Sequence, residues 1–317
     1  MTGYIIRRLG QALIVILGVI LFTFILAQLI PGGEAKAVLG PKATPTTVAL
    51  FNRRNGLDLP VWDQFWHYID GIFHGNLGYS YKYNQGVTQV IMERLPKTLT
   101  LVTASVVLAL IIAIPLGILQ VVRRNKPVDY IATGLSFFFY AMPDFLVGTL
   151  LIIYFSFDLK IFPVSPPTDA SAMAVFTDPR AFALPIITLC VTSIASFSRY
   201  MRSSMMDAMA EDYIRTARAK GASSNRVLYG HALRNALIPI LTLLGLSLPA
   251  IVSGALIVEN VFNYPGMGLL TVQSAFNDDI PVVLGTTLVI TIATVIGSLL
   301  ADILYAVADP RIRLGNS

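Results

Sequence analysis

The sequence predicts an all-α membrane protein with six transmembrane helices and both termini on the cytoplasmic side. Three observations lead to that fold class. The first is run length. Residues 9–30, 98–122, 181–198, 235–258 and 280–301 carry no charge, and residues 130–157 are interrupted only by Asp144. A spanning helix needs about 20 mainly apolar residues, so each run is long enough to cross. The second is composition. The 317 residues are 55% hydrophobic and 13% charged, about half the charge of an ordinary soluble domain. Together these two facts exclude a water-soluble chain. The third is where the basic residues fall. Lys and Arg in short loops mark the cytoplasmic side. Arg7 and Arg8, then Arg123, Arg124 and Lys126, then seven between residues 199 and 234, then Arg311 and Arg313 make fourteen on one side. On the other side, residues 158–180 hold only Lys160 and Arg180, and residues 259–281 hold none, with Asp278 and Asp279 instead. The net charge of +5 therefore reads as topology rather than as a nucleic-acid surface.

Four pieces follow in order. Residues 1–31 are an N-terminal tail and the first span. The apolar run after Arg8 exceeds the roughly 7–15 residues of a signal-peptide core and ends at "QLIPGG" without an A-x-A site, so it reads as a retained span. Residues 32–97 form a large extracytoplasmic segment. In it Trp62, Phe65, Trp66, Ile69, Ile72 and Phe73 recur at helical spacing, which predicts an amphipathic helix at the membrane surface, and "NLGYS" reads as the turn after it. His67 and His74 could share one face of that helix, but two histidines without a third ligand are more simply a solvated or packed pair. Residues 98–310 are a core of five spanning helices with a cytoplasmic loop at about 203–234. Residues 311–317 are a cytoplasmic tail.

Polar groups inside the spans narrow the functional search. A carboxylate in the membrane is expensive and defaults to a functional hypothesis. Asp144 follows Pro143 midway along the third run. Two readings stand beside each other: a place on a substrate path, or a span that breaks at Pro143 with Asp144 serving the freed backbone. Asp302 lies near the end of the last span, where water or an arginine is in reach. Glu259 and Asn260 end the fifth span, and solvation at the interface accounts for them. Cys190, the one cysteine, reads as a small packing residue.

Catalytic signatures are missing. There is no G-x-x-x-x-G-K-[ST], H-E-x-x-H, G-x-S-x-G or paired-cysteine pattern. The glycines of "YPGMG" follow an apolar span rather than a strand. The chain itself is expected to bind no metal, nucleotide or other cofactor and to be no enzyme.

The polar effort is concentrated in residues 211–239, "EDYIRTARAKGASSNRVLYGHALRNALIP". Acids come first (Asp207, Glu211, Asp212) and bases later (Arg215, Arg218, Lys220), which complements a helix dipole. Glu211 and Arg215 are an i,i+4 pair in the favourable direction. Gly221 suits a C-terminal cap, and Ser223 or Ser224 the N-cap of the next helix. The pattern predicts helix, tight turn, helix. Two such short helices need a partner surface to bury their apolar residues.

This loop resembles that of ABC-importer permeases with the E-A-A-x-x-x-G signature, in the version of the dipeptide/oligopeptide/nickel permease family. Arg215, Thr216 and Ala217 stand where the general signature has Glu-Ala-Ala, and Gly221 is its glycine. The later I-x-L-P does not fit, since Leu233 is followed by Arg234 and the proline is Pro239. The likeness runs from "YIIRRL" through "GNLGYSY", "RLPKTLTL", "IPLGIL" and "VENVFNYPGMG" to "YAVADPRIRL"; "LIPGG" is similar to the family's P-G-D with Gly33 in place of the acid. The resemblance implies a type I importer permease fold. It also implies a second, homologous permease subunit, two ATPase subunits that bind ATP and Mg, and an extracytoplasmic binding protein. It implies that residues Arg215, Thr216, Ala217, Arg218, Lys220, Gly221 and Ala222 form the loop seated on an ATPase. Peptide is the implied cargo, with nickel, haem, glutathione or oligosaccharide as alternatives. An ion-coupled secondary transporter would show internal repeats and several midplane charges, where this sequence shows Asp144 and no clear repeat. A membrane scaffold would need no docking loop.

Overall fold

The structure is a computed structural model that describes residues 2–29, 33–40, 42–80 and 82–308. The described chain is mainly helical, with one two-stranded hairpin. Its elements are α1 (Thr2–Gln28), α2 (Gly33–Leu39), α3 (Pro45–Arg54), α4 (Val61–Phe73), β1 (Tyr79–Ser80), β2 (Gln85–Gly86), α5 (Val87–Val122), α6 (Pro127–Ala141), α7 (Asp144–Leu151), α8 (Ala174–Thr177), α9 (Pro179–Ala210), α10 (Asp212–Ala219), α11 (Leu233–Val261), α12 (Met267–Phe276) and α13 (Ile280–Ala308). Wide π-helical turns extend α7 through Ile152–Asp158 and lead into α11 through Arg226–Ala232.

Among the described residues, five helices are long and apolar enough to cross a membrane: Arg7–Gln28, Val87–Val122, Pro179–Ala210, Arg226–Gly245 and Ile280–Leu300. The third apolar run makes a bent pair of helices, which counts as a sixth span when the two are taken as one. Pro127–Ala141 and Asp144–Asp158 meet at 103°. The cause is local. Pro143 lacks an N–H and disfavours helical backbone at the residue before it, and Met142 is extended at φ −76, ψ 129. Two other spans outrun their apolar sequence. α5 begins at Val87 and at about 54 Å is much longer than a hydrocarbon core is thick. α9 continues to Ala210 because the polar stretch after Ser198 keeps helical backbone outside the apolar zone.

The chain divides into two compact units, Met1–Thr98 with Pro265–Ile296, and Leu99–Tyr264 with Gly297–Ser317. In the first unit, the amphipathic helix expected around Trp62 is α4. It sets Phe65 edge-on to Phe24 of α1 at 5.1 Å between ring centroids, and leaves Trp62, Trp66 and Phe73 exposed, as aromatic residues at a membrane interface are. Val87, Val90, Ile91, Met267, Leu270 and Val282 make its core. Ser80 donates to the buried carboxylate of Asp279 at the head of α13, fastening the hairpin.

In the second unit, α5 and α9 approach so closely that a side chain on Gly117 would collide with Met201: an added Cβ would lie 2.6 Å from that residue's Cβ. Cys190 packs with Ala109, Ala113 and Phe197, as a small apolar residue would. Ile111, Phe137 and Phe138 stand exposed on this unit's helices. Such a surface suits lipid as the solvent.

Candidate functional site

Three places bear on function: the turn after α10, the break at Pro143, and the seam between α6 and α9. At the turn, α10 starts directly after α9, with Glu211 extended at φ −67, ψ 149 between them. Its first-turn acid is Asp212 and its last-turn base Arg218, the polarity a helix dipole favours. Arg215 pairs with Asp212 at 3.4 Å rather than with Glu211, because Glu211 lies outside the helix. Thr216 donates to the Asp212 carbonyl at 3.1 Å. The end of α10 is a Schellman closure. The Gly221 N–H reaches the Arg218 carbonyl at 2.9 Å, the Ala222 N–H reaches the Ala217 carbonyl at 3.1 Å, and Gly221 takes φ +82, a conformation in which an L side chain is strained. Ser223 then caps the next helical stretch, accepting from the Arg226 N–H at 3.4 Å.

Two expectations are corrected here. The second helix is not a separate short one. From Ser224 the chain is helical through the π turn and on into α11, so the loop feeds a spanning helix. Nor does α10 need a partner to bury its apolar side. Ile214 is 1% exposed, in a cluster with Ile118, Met201, Met205, Ala208 and Val227, and Ala217 and Ala222 pack on the same cluster. The chain holds the apolar face itself. What it leaves in the open is Arg215, Thr216, Arg218, Lys220 and Gly221. A Cβ added at Gly221 would meet nothing within 4 Å.

At the break, Asp144 opens α7 in the favourable first-turn position. It is half-buried and its carboxylate interacts with Thr192 of α9. The span does break where Pro143 stands. Glu259 corrects a third expectation: it is fully buried, not solvated at the interface. Its neighbour Tyr264, just outside α11, has a phenol pushed up by burial and by the nearby Glu259 carboxylate. Asp302 lies outside the residues whose side chains are described. His74 caps α4 and pairs with Asp70 at 3.4 Å. His67 lines a cavity of about 320 Å³ with Gln64 and Tyr68. Among the described residues no three His, Cys, Asp or Glu converge as metal ligands.

The seam went unread in the sequence. Asp129, in the first turn of α6 and 2% exposed, accepts two bonds from Arg202 of α9, at 2.8 Å from Nε and 3.0 Å from Nη2. The Asn125 N–H adds a third at 3.1 Å, and Thr133, 3.5 Å away, receives the Gln120 amide at 3.1 Å. Further along, Ser136 and Ser198 lie 3.3 Å apart, and Arg199 sits 4.2 Å from the Tyr140 ring centroid and 5.0 Å from that of Phe137, within cation–π range. One signal was available. Asp129, Thr133, Ser136 and Tyr140 recur at steps of four, three and four, a polar stripe on one face of an apolar helix.

A bundle of apolar spans with a short polar helix presented at a loop defines a class: a multi-pass helical membrane protein. A solved structure titled "Crystal structure of an amino acid ABC transporter with histidines" shares the fold, with a TM-score of 0.54 at 17% identity over 69% of this chain and 94% of that one. The chain belongs to the family of binding-protein-dependent transport system inner membrane components, whose profile matches residues 105–314, with the family's N-terminal profile matching residues 1–102. It is similar to the oligopeptide transport system permease protein AppB of Bacillus subtilis (strain 168), 38% identical over 98% of this chain and 99% of that protein. It is likewise similar to the glutathione transport system permease protein GsiC of Salmonella choleraesuis (strain SC-B67), 35% identical over 99% of each. A multi-pass inner-membrane transport subunit thus accounts for the spans.

Proposed function

We propose that this chain is one of two permease subunits of an ATP-driven importer in a bacterial or archaeal cytoplasmic membrane, and that the cargo is a short peptide delivered by an extracytoplasmic binding protein. Both termini and α10 face the cytoplasm in this reading, which the distribution of Lys and Arg supports. The observation that carries it is the α10 turn. A family member presents a short helix whose apolar side is internally anchored and whose basic side and Gly221 stand open. A coupling element needs that arrangement: rigid on the inside, and able to let a partner's backbone approach at the glycine. Arg215, Thr216, Ala217, Arg218, Lys220, Gly221 and Ala222 are the proposed seat for an ATPase subunit. ATP and Mg belong to that partner, and this chain performs no catalysis. ATP-driven closure of the ATPases would push α10 and swing the spans. Asp144, half-buried at the head of a broken span, is the proposed path residue; a helix N-terminus beside it suits polar cargo.

The test is a mild-detergent pull-down of the tagged chain from its native membrane, followed by uptake in vesicles. Recovery of a second permease and of ATPases with P-loops is expected, together with ATP-dependent uptake of labelled di- to pentapeptides. The likeness to a glutathione permease gives the second reading: glutathione uptake that peptides do not compete with would replace peptide as the cargo. A chain recovered alone under several detergents would overturn the importer itself.

A further inference from the structure

The seam joins two features that the proposed function treats separately, and the inference rests on that reading. α9 is one helix from Pro179 to Ala210. Near its end, Met201, Met205 and Ala208 seat α10 through Ile214. Arg202 projects from that same stretch to Asp129. α6, in turn, leads from Asp129 to the break at Pro143, beyond which Asp144 stands. Among the described residues, α9 is the helix against which α6 mainly packs.

We infer that the Asp129–Arg202 ion pair is the clasp through which movement of the coupling helix reaches the broken span, so that both are positioning residues for transport rather than residues that touch cargo. The geometry supports a mechanical role. The two-point grip of a guanidinium on a carboxylate fixes orientation as well as distance. Asp129 is buried and Arg202 mostly so, so the pair is shielded from salt and water that would weaken a surface contact. α6 has 15 residues and is about 22 Å long, a stiff rod with the clasp at one end and the break at the other. Ser136–Ser198 and the Arg199 contacts lie along the same rod and hold it against α9. Without the clasp, α9 shifts when the ATPases close, and α6 slips behind it.

The experiment uses the whole transporter, purified with its own partners and placed in liposomes, with peptide uptake and ATP hydrolysis measured side by side. Asp129→Asn and Arg202→Gln are expected to assemble with the ATPases and hydrolyse ATP, while uptake per ATP falls about tenfold. The exchange Asp129→Arg/Arg202→Asp recovers a part of that loss. A different tie must also work. In an Asp129→Asn, Cys190→Ala background, the pair Ser136→Cys/Ser198→Cys, oxidised with copper phenanthroline to join α6 to α9 by a disulfide, is expected to restore uptake per ATP, and reduction to remove it. If Asp129→Asn fails to reach the membrane, Arg202→Lys decides, since it keeps the charge and loses the two-point grip: about a threefold fall in uptake per ATP is expected. An unchanged ratio in the assembled variants, or a disulfide that restores nothing, overturns the clasp. Those results leave the importer reading intact if the wild type still couples; a wild type that brings down no ATPase overturns both.

Discussion

The turn after α10 and the seam between α6 and α9 are both built with arginine, and they use it in opposite ways. Arg215 is exposed, as is its partner Asp212. Arg202 is held by a carboxylate that is nearly buried, with a backbone N–H completing the carboxylate's bonds. An exposed pair contributes little to stability because water and salt compete for each charge. A buried pair is different: its formation is close to neutral against an apolar alternative, yet losing one partner leaves the other charge stranded. The comparison teaches that the turn can change its charges freely to suit a partner, while the seam must keep both of its charges or neither.

Four substitutions at three positions test that contrast, taken from the largest effect to the smallest. Asp129→Ala strands the Arg202 guanidinium and is expected to cost about 3–5 kcal/mol. Thermal unfolding of the purified chain in detergent reads it directly, and a shift no larger than that of a surface variant would remove the distinction. Gly221→Ala places a side chain at φ +82 in open space, so only backbone strain of about 1–2 kcal/mol is expected. Gly221→Trp adds bulk where a partner is proposed to approach. It should insert normally and abolish uptake at equal expression; normal uptake would end the docking role of the turn. Arg215→Ala should leave the unfolding temperature unchanged, since its partner is exposed, while weakening ATPase recovery in the pull-down. A clear loss of stability would make the turn resemble the seam after all.

The sequence was legible where signals are local. Run length identified the spans, the Trp62–Phe73 spacing identified α4, and Gly221 and Ser223 marked the end of one helix and the start of the next, because each depends on residues a few positions apart. Pro143 announced a break but not its 103° angle, which depends on what α7 packs against. The seam was hidden for a different reason. Asp129 and Arg202 are 73 residues apart, and a single charge near the end of an apolar run does not announce its partner. Burial of Glu259 was hidden likewise, since a carboxylate at the end of an apolar run is solvated or enclosed according to neighbours brought from elsewhere. The separate second helix was misjudged because the charges of residues 226–234 interrupt hydropathy without interrupting helical backbone.

The internal anchoring of α10 has one more consequence. Ile214, Ala217 and Ala222 answer to the chain's own core, whereas Arg215, Arg218 and Lys220 stand exposed away from it, Arg215 beside the equally exposed Asp212. On the proposed docking role, the turn would be a module with a standard plug and a variable key. Residues 211–223 from a relative, grafted with those three apolar positions retained, are expected to fold in place and, on the proposed docking role, to change which ATPase the subunit accepts. Transporters that share a membrane could keep their motors separate by this exchange of a few charges, with the translocation pathway left as it is.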